Sequence, residues 1–226
     1  MAKARYDTRH VAVSKDVDGA SCFIAKVVCL GSVTAQHGKP MIELWLVRHA
    51  ESQGNISGKQ DDSPLSTLGR AQAKKLRAPL GGVAFDEVYS SDLIRCVETA
   101  SLALPHITPK QDPRLRERAE GPKECFVDLG KLSPAQLATF LQQNSAPQGE
   151  SGLAFIARVK SWLESLPEHG KMLAFTHTLV VREILRLRLN EAGARVHHMI
   201  DNASLTRLEL HQNETKILSL NDISHV

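Results

Sequence analysis

Two histidines, two arginines and one carboxylic acid carry the chemistry legible in this sequence. Arg48-His49 follows the apolar run Ile42 to Val47, and Thr176-His177 follows the run Met172 to Phe175. Arg95 lies in the first turns of the segment after a third run, Phe85 to Tyr89, near a helix end whose free N–H groups favour an anion. Guanidinium forks match phosphoryl oxygens and stay charged at any relevant pH, so Arg48 and Arg95 can hold a phosphoryl group and offset its charge as it transfers. A histidine is a nucleophile only while neutral, and nearby arginines favour that state by lowering its pKa. The other histidine, if protonated, donates to a phosphoryl oxygen. Covalent transfer to nitrogen splits one hard displacement into two easier ones, with water attacking the phosphohistidine in the second. A leaving alkoxide needs a proton, and Glu117, within Arg114-Leu115-Arg116-Glu117, is the candidate donor.

These residues converge only if the chain alternates strands with helices, and from Met41 onward it does. Ile42 to Val47 is a run of strand length, and Ser66 to Leu80 has helical spacing at Leu68, Ala71, Leu76 and Leu80, with Ser66 as N-cap. Phe85 to Tyr89 predicts a second strand, and Ser90 or Ser91 caps a helix running to Leu104, which Pro105 stops. Ser133-Pro134-Ala135-Gln136 has the capping-box form, predicting a helix to about Gln143. Leu153, Ile156, Val159, Leu163 and Leu166 form one apolar stripe of an amphipathic helix. Met172 to Phe175 is the next strand and Leu179 to Leu189 the next helix, followed by a hairpin of Leu205 to Leu210 with Lys216 to Leu220 around His211 to Glu214. The expected fold is α/β, a three-layer αβα sandwich with a mostly parallel central sheet. Ligands bind such sheets just beyond the carboxyl ends of the strands, where both Arg-His and Thr-His stand.

Composition fits that reading. The 226 residues are 42% hydrophobic and 23% charged, ordinary values for a globular chain, and no apolar run is long enough to span a membrane. Residues 1–40 hold six Lys/Arg and three Asp/Glu, which accounts for the whole net charge of +3 and leaves the body neutral. A nucleic-acid footprint needs a basic face on the folded domain, so neither nucleic acid nor membrane is an expected partner. The four cysteines show no CxxC pair, which points to a reducing, cytoplasmic compartment. Residues 1–40 lack sustained periodicity and are expected to be a poorly structured extension, with Met41 a natural first residue of the domain 41–226.

The ordered motifs resemble one family. Leu46-Val47-Arg48-His49-Ala50-Glu51-Ser52 with Gly54-Asn55, Leu65-Ser66-Thr67-Leu68-Gly69 with Gln72-Ala73, and Tyr89-Ser90-Ser91-Asp92-Leu93-Ile94-Arg95 with Glu98-Thr99-Ala100 come first. Arg114-Leu115-Arg116-Glu117, Gly149-Glu150-Ser151, Phe175-Thr176-His177 and Asn202-Ala203-Ser204 follow. Together they resemble the histidine phosphatase superfamily, also called phosphoglycerate mutase-like. The resemblance implies that His49 is phosphorylated, that Arg48, Arg95 and His177 bind the phosphoryl group, that Asn55 is an accessory phosphate contact, and that Glu117 is proton donor and later base. It implies a phosphatase acting on small phosphomonoesters, with a cofactor-dependent mutase as the alternative. The domain lacks room for the longer insertion usual in mutases, and Gln53-Gly54-Asn55 lacks their tryptophan. The chain departs from the family at Ala50 and Thr178, where glycine is usual, and at Cys96-Val97, which replaces an alanine-containing pair. Residues from Ala119 to Asp128 match weakly.

No metal or other cofactor is expected, because arginines and histidines supply the positive charge that metal ions provide elsewhere. A non-catalytic phospho-ligand-binding protein of the same fold would be expected to have lost one of Arg48, His49, Arg95, Glu117 or His177, and all five are present. Several residues have plainer readings. Arg114 to Arg118 could be a charged solvated loop. Glu51 could orient a phosphate-binding arginine and Glu150 could favour a helix N-terminus. Adjacent His197 and His198 read as surface residues, Cys96 as an inert buried thiol, and Trp45 and Trp162 as core packing. Specificity is expected to lie between Arg118 and Gln148, where Lys123 could meet a further anionic group.

Overall fold

The structure, a computed structural model, describes residues 41–59, 61–119, 133–135, 149–189, 200–212 and 214–226. The chain divides into two units, Met1–Gln36 and His37–Val226, and every described residue belongs to the second.

Strands β1 (Met41–Arg48), β2 (Glu87–Ser90), β3 (Lys110–Gln111), β4 (His169–Thr176), β5 (Leu205–His211) and β6 (Thr215–Asp222) form one sheet in the order β3-β2-β4-β1-β5-β6. The first four run parallel, while β5 pairs antiparallel with β1 and β6 antiparallel with β5. Helices α1 (Gln53–Ser57), α2 (Thr67–Lys75), α3 (Arg77–Leu80), α4 (Ile94–Ala103), α5 (Gly152–Glu164) and α6 (Thr178–Leu189) connect them, with a short 3-10 turn at Pro113–Leu115.

Strand periodicity divides the core into two layers. Leu44 and Leu46 of β1 with Met172 and Ala174 of β4 pack against Phe155, Val159 and Trp162 of α5 and Val181, Ile184 and Leu185 of α6. Trp45 and Val47 with Leu173 and Phe175 face the other way, onto Ala73 of α2, Leu80 of α3 and Cys96, Ala100 and Ala103 of α4. Full burial of each such leucine or phenylalanine contributes about 1.5–3 kcal/mol relative to exposure. The result is the expected three-layer α/β sandwich, with Trp45 and Trp162 in the core. Among the described residues no helix is long and apolar enough to cross a membrane.

Four local readings need correction. The helix from Ser66 to Leu80 is two helices, ending first at Lys75 and resuming at Arg77. Pro79 has no N–H to give the Lys75 carbonyl, so the ladder breaks there. Leu68 and Leu153, counted as inward-facing, are 56% and 54% exposed. Helix α4 begins after Leu93 with no side-chain cap, so neither Ser90 nor Ser91 caps it. Helix α1, strand β3 and the 3-10 turn carried no periodic signal because each is too short for one. Of the capping-box helix Pro134 and Ala135 are helical, and its continuation to Gln143 lies outside the described residues, as do residues 1–40, Lys123, His197 and His198.

Helix α2 sits close against the loop that follows β1. A methyl group at Gly69 would stand 1.9 Å from the Glu51 carbonyl oxygen, a backbone atom that cannot move aside cheaply. Glycine to alanine inside a helix ordinarily gains up to about 1 kcal/mol. Here the clash outweighs that gain. Gly69→Ala is expected to lower stability by about 1–3 kcal/mol, read as a fall in Tm of several degrees by thermal denaturation.

Candidate active site

Register brings the two histidines together. Arg48, last in β1, pairs with Thr176, last in β4, and the His49 N–H donates to the Thr176 carbonyl at 2.9 Å. His49 and His177 therefore leave adjacent strand ends side by side, with ring centroids 5.0 Å apart and both rings buried. Arg95, the second residue of α4, is 8% exposed and donates to the Asp61 carbonyl at 3.0 Å. Glu117 follows the 3-10 turn, and its carboxyl oxygen accepts from the Arg118 N–H at 3.1 Å and from the Leu179 N–H, at the start of α6, at 3.2 Å. Asn55, on α1, accepts from the Ser52 N–H at 2.9 Å in a capping box and from the Asn202 side chain at 3.2 Å. Arg48, His49, Asn55, Arg95 and Glu117 line one cavity of about 110 Å3. All six sequence-predicted residues thus meet at one rim of the sheet.

Burial sets the protonation states. The His49 Nδ1 lies 2.8 Å from the Ala50 carbonyl oxygen, which can only accept, so Nδ1 carries the proton and Nε2 keeps its lone pair. Burial first, and then the charges of Arg48 and Arg95, push His49 down to about 3. The ring is neutral at physiological pH. Burial raises Glu117 to about 7, against the lowering pull of the two N–H donors, Arg48 and Arg95. One carboxyl group near neutrality beside a neutral imidazole can trade protons in both directions. Arg48 Nε and His177 Nδ1 are buried with no hydrogen-bond partner among the described residues. Phosphoryl oxygens would satisfy both.

Arg48, Arg95 and the His49 imidazole are each held by a main-chain carbonyl. Arg48 donates to Ile200 and Arg95 to Asp61, while His49 donates to Ala50. None of these neutral acceptors cancels the positive charge that an anion would meet.

The sequence of residues 44–223 matches the model of the histidine phosphatase superfamily, branch 1. The chain belongs to that superfamily. It is 30% identical to adenosylcobalamin/alpha-ribazole phosphatase of Escherichia coli K12, over 80% of this chain and 96% of that one. It is 28% identical to a protein named probable phosphoglycerate mutase GpmB from Proteus mirabilis, over 82% of this chain and 95% of that one. In fold it is similar to the crystal structure of phosphoglycerate mutase from Bacillus anthracis, with a TM-score of 0.67 at 22% identity, covering 83% of this chain and 96% of that one.

Seen within the histidine phosphatase fold, residues whose purpose the sequence left open find partners. Thr99 accepts from the Ala50 N–H at 3.1 Å and donates to the Arg95 carbonyl at 2.6 Å, which couples the His49 loop to α4. Gln72 accepts from the Glu51 N–H at 3.0 Å. Glu51 receives the Ser66 hydroxyl at 2.6 Å, so its role is to brace the α2 cap. Glu150 pairs with Arg158 at 2.6 Å, and Arg158 also donates to the carbonyls of Arg114 and Glu117. With Thr176 donating to the Leu115 carbonyl at 2.9 Å, the segment carrying Glu117 is clamped at its backbone, so it is more than a charged solvated loop even though Arg116 is exposed.

Asn202, Ala203 and Ser204 reach the site from a side that the strand-end rule did not anticipate. Because β5 runs antiparallel to β1, the residues before it, not after it, lie at the active rim. Ser204 accepts from the Arg48 N–H at 3.2 Å, and the His49 carbonyl accepts from Ala203 N–H at 3.2 Å and Asn202 at 3.0 Å. Ala203 adopts φ of 57° to make this contact, a left-handed conformation that costs a non-glycine residue about 1–2 kcal/mol.

Proposed function

We propose that this chain is a phosphatase that hydrolyses small phosphomonoesters through a phosphohistidine at His49. The observation that carries the reading is the 2.8 Å bond from His49 Nδ1 to the Ala50 carbonyl, which leaves Nε2 bare and neutral beside two arginines. In the first step Nε2 attacks phosphorus, the ester P–O bond breaks, and Glu117 gives its proton to the departing alkoxide. In the second, water attacks phosphorus and gives a proton to the Glu117 carboxylate as the N–P bond breaks, releasing inorganic phosphate. Arg48, Arg95 and His177 hold the phosphoryl oxygens throughout, with Asn55 as accessory contact. Fixed donors aimed at developing charge are worth several kcal/mol each in such a buried site.

The charge balance supports a small phosphorylated partner in preference to nucleic acid or membrane, and four cysteines without a CxxC pair suit a reducing, cytoplasmic setting. Phosphatase activity is supported by the relative that is 30% identical and named a phosphatase. The relative named as a mutase favours phosphoryl return to a bound intermediate as the second reading. A panel of phosphorylated metabolites including both phosphoglycerates, assayed with a chelator present, separates them. Release of inorganic phosphate at a rate indifferent to chelation is the expected result. Interconversion of the phosphoglycerates without phosphate release would replace phosphatase by mutase, and no turnover of any kind would leave a binding protein.

A further inference from the structure

Of the two ring nitrogens of His177, only one has a hydrogen-bond partner among the described residues. Nε2 lies 3.0 Å from Ser91 Oγ and 3.4 Å from Cys96 Sγ, while Nδ1 is buried with no hydrogen-bond partner among the described residues. The ring is 0% exposed, as is Ser91. A neutral imidazole carries one proton, and the bond made at one nitrogen decides which nitrogen holds it. Burial, with His49, Arg95, Arg48 and Arg158 around it, lowers His177 well below the usual histidine range, so one proton is what it has.

Two assignments are possible. With the proton on Nε2, the ring donates to Ser91 and turns the Nδ1 lone pair toward an incoming anion, which repels it. With the proton on Nδ1, the ring accepts from Ser91 and offers N–H to the anion. The surroundings of Ser91 select the second. Its Oγ already accepts from the Leu93 N–H at 3.3 Å, and of the two groups that can take its proton, the imidazole nitrogen is a far better acceptor than the sulfur of the protonated Cys96. The Cys96 sulfur lies 3.5 Å from the Thr176 carbonyl, an acceptor for its S–H, and burial pushes the thiol up so that no thiolate competes for the imidazole proton. The Ser91 N–H donates to the Phe175 carbonyl at 2.9 Å, which fixes the serine at the end of β4, two residues from His177.

We propose that Ser91 is a positioning residue whose hydroxyl donates to His177 Nε2 and so holds the proton of the neutral ring on Nδ1, the nitrogen that meets the transferring phosphoryl group. Both histidines then carry their proton on Nδ1, yet they present opposite faces to the substrate. His49 offers a bare nitrogen and His177 offers a hydrogen-bond donor. The inference takes a phosphoryl group as the ligand and to that extent rests on the proposed function.

Long-range 1H–15N correlation spectra of the full chain, labelled with 15N-histidine at neutral pH, test it without any turnover. The expected spectrum shows His177, assigned by its disappearance in His177→Gln, with a protonated Nδ1 and a bare Nε2, and a shift of the Nδ1 signal on adding inorganic phosphate. Ser91→Ala is expected to move both nitrogens toward tautomer-averaged values and to lower kcat/KM for an aryl phosphate about 10- to 100-fold, below the about 10²- to 10³-fold of deleting such a donor outright. Ser91→Thr, which keeps the hydroxyl, is expected to restore the wild-type nitrogen shifts. A protonated Nε2 in the wild-type protein overturns the proposal whether or not the variants fold. Unchanged His177 shifts in a folded Ser91→Ala protein overturn it equally. The expected tautomer in a chain without phosphatase activity would instead sink the proposed function and leave the assignment standing.

Discussion

His49→Ala is expected to reduce hydrolysis of an aryl phosphate by about 10⁴-fold or more, the scale on which deleting the nucleophile of a covalent mechanism acts. Among the described residues no neighbouring group is placed to take over. His177 has its Nε2 engaged by Ser91 and Cys96, and Cys96 is a protonated thiol buried at 0% exposure. The fold is expected to survive, because the contacts that place residue 49 are made by its backbone, from its N–H to Thr176 and from Ala203 and Asn202 to its carbonyl. The substitution removes one side-chain hydrogen bond, a net loss of about 1 kcal/mol. Circular dichroism and a melting curve on the same preparation check the fold. Retained turnover with an intact fold would remove His49 from the nucleophile role.

The second large effect is at Glu117. Glu117→Gln is expected to lower kcat/KM about 10²- to 10⁴-fold for an alkyl phosphate, whose leaving oxygen needs a proton, and much less for a nitrophenyl ester, whose leaving group does not. Because burial raises the carboxyl to about 7, wild-type kcat/KM for the alkyl ester should fall on one alkaline limb near pH 7, and that limb should vanish in the variant. The sign for stability is opposite to that for activity. A carboxyl raised from 4.5 when unfolded to about 7 when folded favours the native state below pH 4.5, and that contribution is lost as pH rises through about 7. Glutamine cannot ionise. At pH 8 the variant should therefore melt higher than the wild-type chain while turning over less, and a lower Tm would argue against a carboxyl whose charge the folded state disfavours. Equal slowing of both esters would show that Glu117 is not the proton donor.

Why Arg48, His49 and His177 could be read from sequence is a matter of topology. Each directly follows an apolar run of strand length, and parallel strands end at the same rim. Arg95 was legible as a cation in the first turn of a helix that follows such a strand. What could not be read depends on contacts between residues far apart in the chain. Asn202 to Ser204 were legible as a motif but not in position, since they join the site only because β5 reverses direction beside β1, and no local signal states which strand the terminal hairpin will pair with. Ser91 carried a capping signal, but its hydroxyl is engaged across 86 positions with His177. The break between α2 and α3 was legible in principle, since Pro79 lies inside the helical pattern, but apolar spacing through Leu76 and Leu80 masked it.

The carbonyl oxygens that aim His49, Arg48 and Arg95 belong to residues 50, 200 and 61, and every amino acid supplies the same oxygen at those positions. Side chains there can drift over evolutionary time without disarming the centre, provided the backbone path is preserved. A centre held by its backbone in this way leaves the side chains of the surrounding wall free to diverge, a low-risk route to new substrates.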